Sequence, residues 1–385
     1  FKNKNNLNFD LKLNIKDNNL KFDLFNFAKK DKSNLKLEIK GEHKFDKGTL
    51  LKKINLVENK NFISIKDLSL SSDKKINYIK NITLNYQDRD NLRNNIEITK
   101  KNKNYFVKGA SLNINQIVDN LINSENKKKY NLFKDDFKIN IKIDQTYLDK
   151  KNIIDNLKGY FIYNNNEIYE SKLESSFSNN KKIKFTINTD NNVKITTLYT
   201  DVAKPFVGRY KFIKGFEEGN LDFYSTKKNN ISNSTLKIDN FKVQEVPILA
   251  KLLTLASLQG IADLLTGEGI RFTDFEMKFS NQKKLMKIEE MYAIGPAISI
   301  LMEGYIEKDK LISLRGTLVP ATTINRTISS IPLIGKVLVG KKVGEGVFGV
   351  SFKIKGPPKD LKTTVNPIKT LTPRFITRTL EKISN

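Results

Sequence analysis

Apolar and polar residues alternate with a period of two along most of this chain. In "LNFDLKLNI", Leu7, Phe9, Leu11, Leu13 and Ile15 share one parity, while Asn, Asp and Lys hold the other. "LKFDL", "LKLEIK", "FISIKDLSL" and "INYIKNITLNY" repeat the design through about residue 110, separated by turn-forming clusters such as "KDNN", "KKDKSN" and "FDKG". Such alternation marks strands with one buried and one wet face, the habit of antiparallel sheets. A short helical pattern in "NINQIVDNLINS" interrupts it. Strands resume in "FKINIKIDQTYL", "IIDNLKGYFIY", "EIYESKLESSF", "KKIKFTINT" and "VKITTLYT", and a second short helix is expected within "DVAKPFVGRYKF".

The texture changes at Val246. "VPILAKLLTLASLQGIADLLTG" carries a wide apolar stripe, with Pro247 where a first-turn proline is tolerated and Gly267 able to close the helix, so a helix is predicted near 247–266. Strands return in "GIRFTDFEMKFS", "LMKIEEMYAIG", "AISILMEGYIE", "LISLRGTLV" and "GVFGVSFKIKG". Further helices are predicted near 321–339, broken around Pro332, and near 372–383, with a Thr cap and Pro at its first position. The expected total is near twenty strands and four or five short helices. Helices so few and short cannot cover so large an apolar sheet face. That face must pack on a second sheet, close into a barrel, or cover something other than protein.

Composition narrows the functional classes. The 385 residues hold 68 Lys and Arg against 42 Asp and Glu, a net charge of +26. The lysines are interleaved with asparagine and apolar residues instead of gathered in blocks. Compositional bias explains most of this, with attraction to anionic lipid head groups as an added effect. A nucleic-acid binder would need clustered Lys and Arg with exposed aromatics, which the chain lacks. Cysteine is absent and His43 is the single histidine, so no catalytic or metal constellation converges and no enzyme is expected. No apolar run reaches 18 residues, so nothing here is expected to span a bilayer as a helix, and any anchor or targeting segment would lie upstream of Phe1. The absence of Trp and the internal helices weigh against a transmembrane barrel with an aromatic girdle.

Near the C-terminus, "GKVLVGKKVGEGVFG" imitates two nucleotide motifs. A phosphate loop needs Ser or Thr after its lysine, and Lys342 stands there instead. Gly344, Gly346 and Gly349 spell G-x-G-x-x-G, but "VSFKIKG" follows as a strand, so no helix N-terminus awaits a pyrophosphate. These glycines are expected to serve turn geometry, and no nucleotide or other cofactor is expected.

The same stretch resembles a family. "LRGTLVPATTINRTISSIPLIGKVLVG", "GEGVFGVSFKIKG" and "VNPIKTLTP" resemble the C-terminal region of the AsmA-like family of bacterial envelope proteins. "VPILAKLLTLASLQGIADLLTGEGIRFTDFEMKF" and "GRYKFIKGFEEGNLDF" resemble its upstream helix and strand elements, so the likeness covers about residues 202–380. It departs at "TPRFITRTL", where a Pro-Gly pair is common in the family. The resemblance implies a mainly β fold with a few short helices: one long antiparallel sheet curled into a U-shaped apolar groove. Residues 1–200 would form the extended groove and 201–385 its AsmA-like end, continuous with the first.

The resemblance further implies a periplasmic protein anchored to the inner membrane, which holds or conducts phospholipid acyl chains toward the outer membrane. A non-transporting scaffold of outer-membrane assembly is the alternative. On strand parity, the candidate lipid-binding residues are Leu11, Leu13, Phe22, Leu37, Ile39, Ile139, Ile141, Phe185, Ile187, Phe272, Ile300, Met302, Phe352 and Ile354. The expected partners are phospholipids and membrane, not nucleic acid.

Overall fold

The computed structural model describes residues 6–23, 26–122, 133–209, 214–256, 258–320 and 349–368. The described residues carry 22 strands and four short helices, and 20 of the strands belong to one large, mostly antiparallel sheet. The chain divides into two compact units, residues 1–190 and 191–385. The helices predicted near 321–339 and 372–383 lie outside the described residues, as do Gly344 and Gly346.

The first unit holds β1 (Asn6–Ile15), β2 (Lys21–Phe22), β3 (Phe27–Ala28), β4 (Leu35–Lys44), β5 (Gly48–Glu58), β6 (Asn61–Leu70) and β7 (Ile76–Gln87). It continues with β8 (Arg93–Lys101), β9 (Asn104–Asn113), α1 (Asn115–Ile122), β10 (Phe137–Tyr147), β11 (Ile153–Asn164), β12 (Glu167–Ser176) and β13 (Lys182–Asp190). Each long strand pairs with its sequence neighbour, and β1 pairs with β4 across the small β2–β3 hairpin.

One pairing corrects the expectation of a purely antiparallel sheet: β9 and β10 run parallel. A tight turn cannot join parallel strands, and the longer connection that begins with α1 serves instead. Both edges of β10 are thereby occupied, by β9 and β11.

Asparagine builds many of the turns. Asn165 and Asn166 (φ 50° and 63°) join β11 to β12 in two residues. That left-handed geometry matches the twist of a two-residue hairpin, and asparagine tolerates it better than most side chains.

The second unit holds β14 (Val193–Thr200), α2 (Lys204–Val207), β15 (Lys214–Lys228), β16 (Ile231–Gln244), α3 (Pro247–Leu255) and α4 (Gln259–Thr266). Its remaining strands are β17 (Ile270–Gln282), β18 (Leu285–Ile294), β19 (Ile298–Glu307), β20 (Leu311–Pro320), β21 (Gly349–Gly356) and β22 (Lys362–Ile368). The nine strands pair in sequence order, all antiparallel.

The helix predicted near 247–266 is two helices. Leu253 and Leu265 are both fully buried. Twelve residues apart on one helix they would point about 120° from each other, and the break lets both face inward. α3 packs against β22, and α4 against β16 and β17. Among the described residues the sheet does not close into a barrel, since β1 pairs only with β4 and β22 only with β21.

Candidate functional site: an apolar sheet face

Register converts the alternation of single strands into continuous rows across the sheet. In the first unit one row runs Leu11–Ile39–Ile54–Ile65–Ile82–Ile98–Val107–Ile141–Gly159–Leu173–Phe185, each residue directly opposite the next. The adjacent row on the other face runs Lys12–Glu38–Asn55–Ser64–Thr83–Glu97–Lys108–Lys142–Lys158–Glu174–Lys184. Ten of the eleven positions in the first row carry apolar side chains, with Gly159 the one gap, and every position in the adjacent row is polar or charged. At about 4.8 Å per strand the row is roughly 48 Å long.

Burial shows where this face is covered. The neighbouring row through Leu56, Ile63, Leu84, Ile96 and Ile143 is sealed, none more than 5% exposed. Its cover is the β2–β3 hairpin, whose Phe27 is fully buried, stacked at 6.2 Å on Phe22 and edge-on at 5.8 Å to Tyr86. Burial also pushes the Tyr86 phenol well above its ordinary pKa. The hairpin is tied to the β7–β8 turn: Arg89 donates to Asp23 at 2.6 Å and to the Phe27 carbonyl at 3.3 Å, and Asn26 donates to Asp90 at 3.0 Å. Beyond this cover, Ile39, Ile54, Ile65, Ile82 and Ile98 are only half-buried. A second packed layer would seal them as it seals their neighbours.

The second unit repeats the plan. One row runs Leu198–Phe223–Leu236–Met277–Met291–Met302–Gly316–Phe352–Val365. Three of the chain's four methionines thus stand side by side, all half-buried. The row beside it is sealed at Leu221, Ile238, Leu318 and Val350. Glycines on the apolar face mark close approach. A Cβ at Gly316 would lie 2.5 Å from the Phe352 ring, and one at Gly159 (φ 143°) would meet the Lys172 carbonyl oxygen at 1.9 Å.

Of the sequence candidates, Leu11, Ile39, Ile141 and Phe185 share the long row, and Leu13 and Leu37 face each other at the open end of the neighbouring row, before its sealed stretch begins at Leu56. Leu11 and Leu13 are exposed, at 44% and 41%. Ile139 and Ile187 lie one row further along, half-buried and buried respectively. Ile300 and Met302 are half-buried, whereas Phe352 and Ile354 are buried on the same face.

Two candidates are placed elsewhere. Phe22 belongs to the covering hairpin, not to a long sheet strand. Phe272 is 3% exposed in an aromatic stack, 5.5 Å from Phe241, which itself stacks on Phe216 at 5.4 Å. The members not named from the sequence, such as Ile54, Ile65, Leu173, Met277 and Met291, carry the same alternation; only the pairing shows them continuous.

The polar face of the second unit holds a buried cluster. Register sets Glu276 between Lys237 and Tyr292. Its carboxylate accepts from the Tyr292 hydroxyl at 2.8 Å and lies 3.2 Å from Lys278 and 3.6 Å from Lys237. Burial opposes its charge, yet Tyr292, Lys278 and Lys237 together hold its pKa below the ordinary glutamate value. A cavity of about 400 Å³ lies nearby, lined by Glu290, Leu301, Arg315, Thr317, Ser351 and Asn366 among others. Arg315 there is paired with Glu303 at 2.7 Å. Among the described residues no group of His, Cys, Asp and Glu could hold a metal ion, and no helix is long and apolar enough to cross a membrane. Comparison with known proteins finds no matching family model, no matching curated protein and no matching solved structure.

Proposed function

We propose that the apolar face holds and conducts phospholipid acyl chains while the head groups stay in water. The observation that carries this reading is the apolar row of the first unit, continuous and half-buried from Ile39 through Ile54, Ile65 and Ile82 to Ile98. Exposing a sixteen-carbon chain to water costs on the order of 12 kcal/mol, so a lipid leaving a bilayer needs continuous lining. Half of a bilayer's hydrocarbon core is about 15 Å thick, and a row of roughly 48 Å accommodates several chains side by side. The methionine row suits the same task, because unbranched thioethers adapt to irregular partners.

The sheet in this reading is curled, with the apolar face concave. On a flat sheet β17 and β22 would stand about 24 Å apart. The packed pair α3–α4 nevertheless touches both, which favours curvature. Bulges at Lys278/Phe279 and Ile288/Met291 supply local bending. The motif resemblance points the proposal to the bacterial envelope: a periplasmic conduit anchored in the inner membrane by a segment upstream, passing lipid between the two membranes. The net charge of +26 would draw it to anionic head groups.

A scaffold reading is second, favoured by the hairpin that fills part of the first unit's apolar face with Phe22 and Phe27. Purification without detergent, followed by lipid extraction and mass spectrometry, separates the two. Phospholipid retained in at least equimolar amount is the expected result. A lipid-free protein with normal folding would leave the scaffold.

A further inference from the structure

All four methionines of the chain lie on three consecutive strands, β17, β18 and β19, and three of them form one run across the sheet. Met277 stands directly opposite Met291, and Met291 directly opposite Met302. A bulge creates this alignment. β18 carries one extra residue between Ile288 and Met291 relative to both neighbouring strands. Counted on from Ile288 without that residue, Met291 would face Glu276 and Leu301 on the polar side. With it, Met291 turns to the apolar face between the other two thioethers. Bulges that re-aim a side chain are over-represented beside functional sites. Lining an apolar face does not by itself call for methionine: the long row of the first unit takes its side chains from Ile, Leu, Val and Phe.

We propose that Met277, Met291 and Met302 form a thioether site for a soft monovalent cation of the Cu(I) class. Directly opposed residues on adjacent antiparallel strands have Cβ atoms about 4.5–5.5 Å apart. An unbranched thioether with three rotatable bonds can turn its sulfur from either side toward an ion over Met291. Soft sulfur donors select Cu(I), whereas carboxylates and carbonyls suit Mg(II) and Ca(II). The three side chains are half-buried, which leaves the run open to an entering ion. At the Met302 end the row continues to Gly316, and the Phe352 ring occupies the place of a side chain there, 2.5 Å from where a Cβ would stand. An aromatic ring at that point shields the run from water and attracts a cation electrostatically. The chain has no cysteine to draw a soft ion elsewhere.

The site lies on the apolar face but does not depend on the acyl-chain reading, and its tests use no lipid. Calorimetric titration of the 385-residue chain with Ag(I), a redox-inert stand-in for Cu(I), in chloride-free buffer is expected to show saturable uptake of one ion per chain at micromolar concentration. Anaerobic competition for Cu(I) against a chromogenic chelator should give the same stoichiometry. Exchanging Met for Leu nearly conserves volume, so the variants should keep the fold, which urea midpoints check. M277L, M291L and M302L are each expected to weaken binding about tenfold or more by removing one soft donor, and the triple variant to abolish it. M286L removes the fourth methionine, which stands between Asn281 and Ile306 away from the run, and should leave binding unchanged. X-ray absorption at the copper edge of the loaded wild type needs no variant and should show sulfur neighbours only. The absence of saturable Ag(I) and Cu(I) binding at micromolar concentration overturns the proposal. So does binding that survives the triple substitution, an M286L loss equal to that of M291L, or copper held by nitrogen or oxygen.

Discussion

Glu276 is a side chain whose environment departs from what its sequence neighbourhood suggests. "DFEMKF" reads as one more wet-face acid, yet Glu276 is only 8% exposed and bound to Tyr292, Lys278 and Lys237. Its folded pKa lies below the unfolded one. Its contribution is therefore complete above the unfolded value, about 4.3, and is lost as pH falls through the lower folded value. E276Q is expected to cost about 1.5–3 kcal/mol at neutral pH, the scale of a hydrogen bond to a charged group. It should also flatten the acid limb of stability. Urea midpoints from pH 7 to pH 3 check this, and parallel curves for wild type and variant would show that the cluster does not feel the charge.

Among elements, the β2–β3 hairpin was the least legible from sequence. "LKFDL" alternates like its neighbours, and nothing local distinguishes a strand of the sheet from a short hairpin laid across it. What distinguishes it is a set of distant partners: Arg89 reaches Asp23 across 66 residues, and Phe27 meets Tyr86. Because Phe27 is fully buried, F27A is expected to destabilise the protein by about 3–5 kcal/mol, the usual cost of emptying an aromatic site. The loss should appear in urea unfolding. A loss below about 1 kcal/mol would mean that the hairpin rests on the sheet without belonging to its core. The parallel β9–β10 pair was hidden for the same reason, since strand direction is set by the connection and not by alternation.

For the whole molecule, the question is which face meets a ligand. Photo-crosslinkers at Ile39, Ile141 and Phe185, on the half-exposed row, are expected to label lipid in cells several-fold more than those at Lys12, Lys138 and Lys184, on the opposite parity. Lys138 already lies over the Tyr160 ring at 4.1 Å on that side. Equal labelling of the two sets would remove the parity argument and the lipid reading with it. I141E should block passage by placing a carboxylate among alkyl chains, a burial that costs several kcal/mol unless it is paired.

The sequence by itself determined the strands, their parity, the positions of α1, α2 and the α3–α4 region, and the poverty of catalytic groups. Each of these is local: a period of two, a first-turn proline, or a residue count. Tertiary structure alone decided that parities of eleven strands align into one row. Each register is a contact between distant residues, and a slip of one would send a strand's apolar set to the wet face. It also decided that Phe27 seals one row and leaves the next half-open, and that Phe272 leaves the face for an aromatic stack. Alternation states that two faces differ; what lies over each face depends on contacts dozens of residues apart.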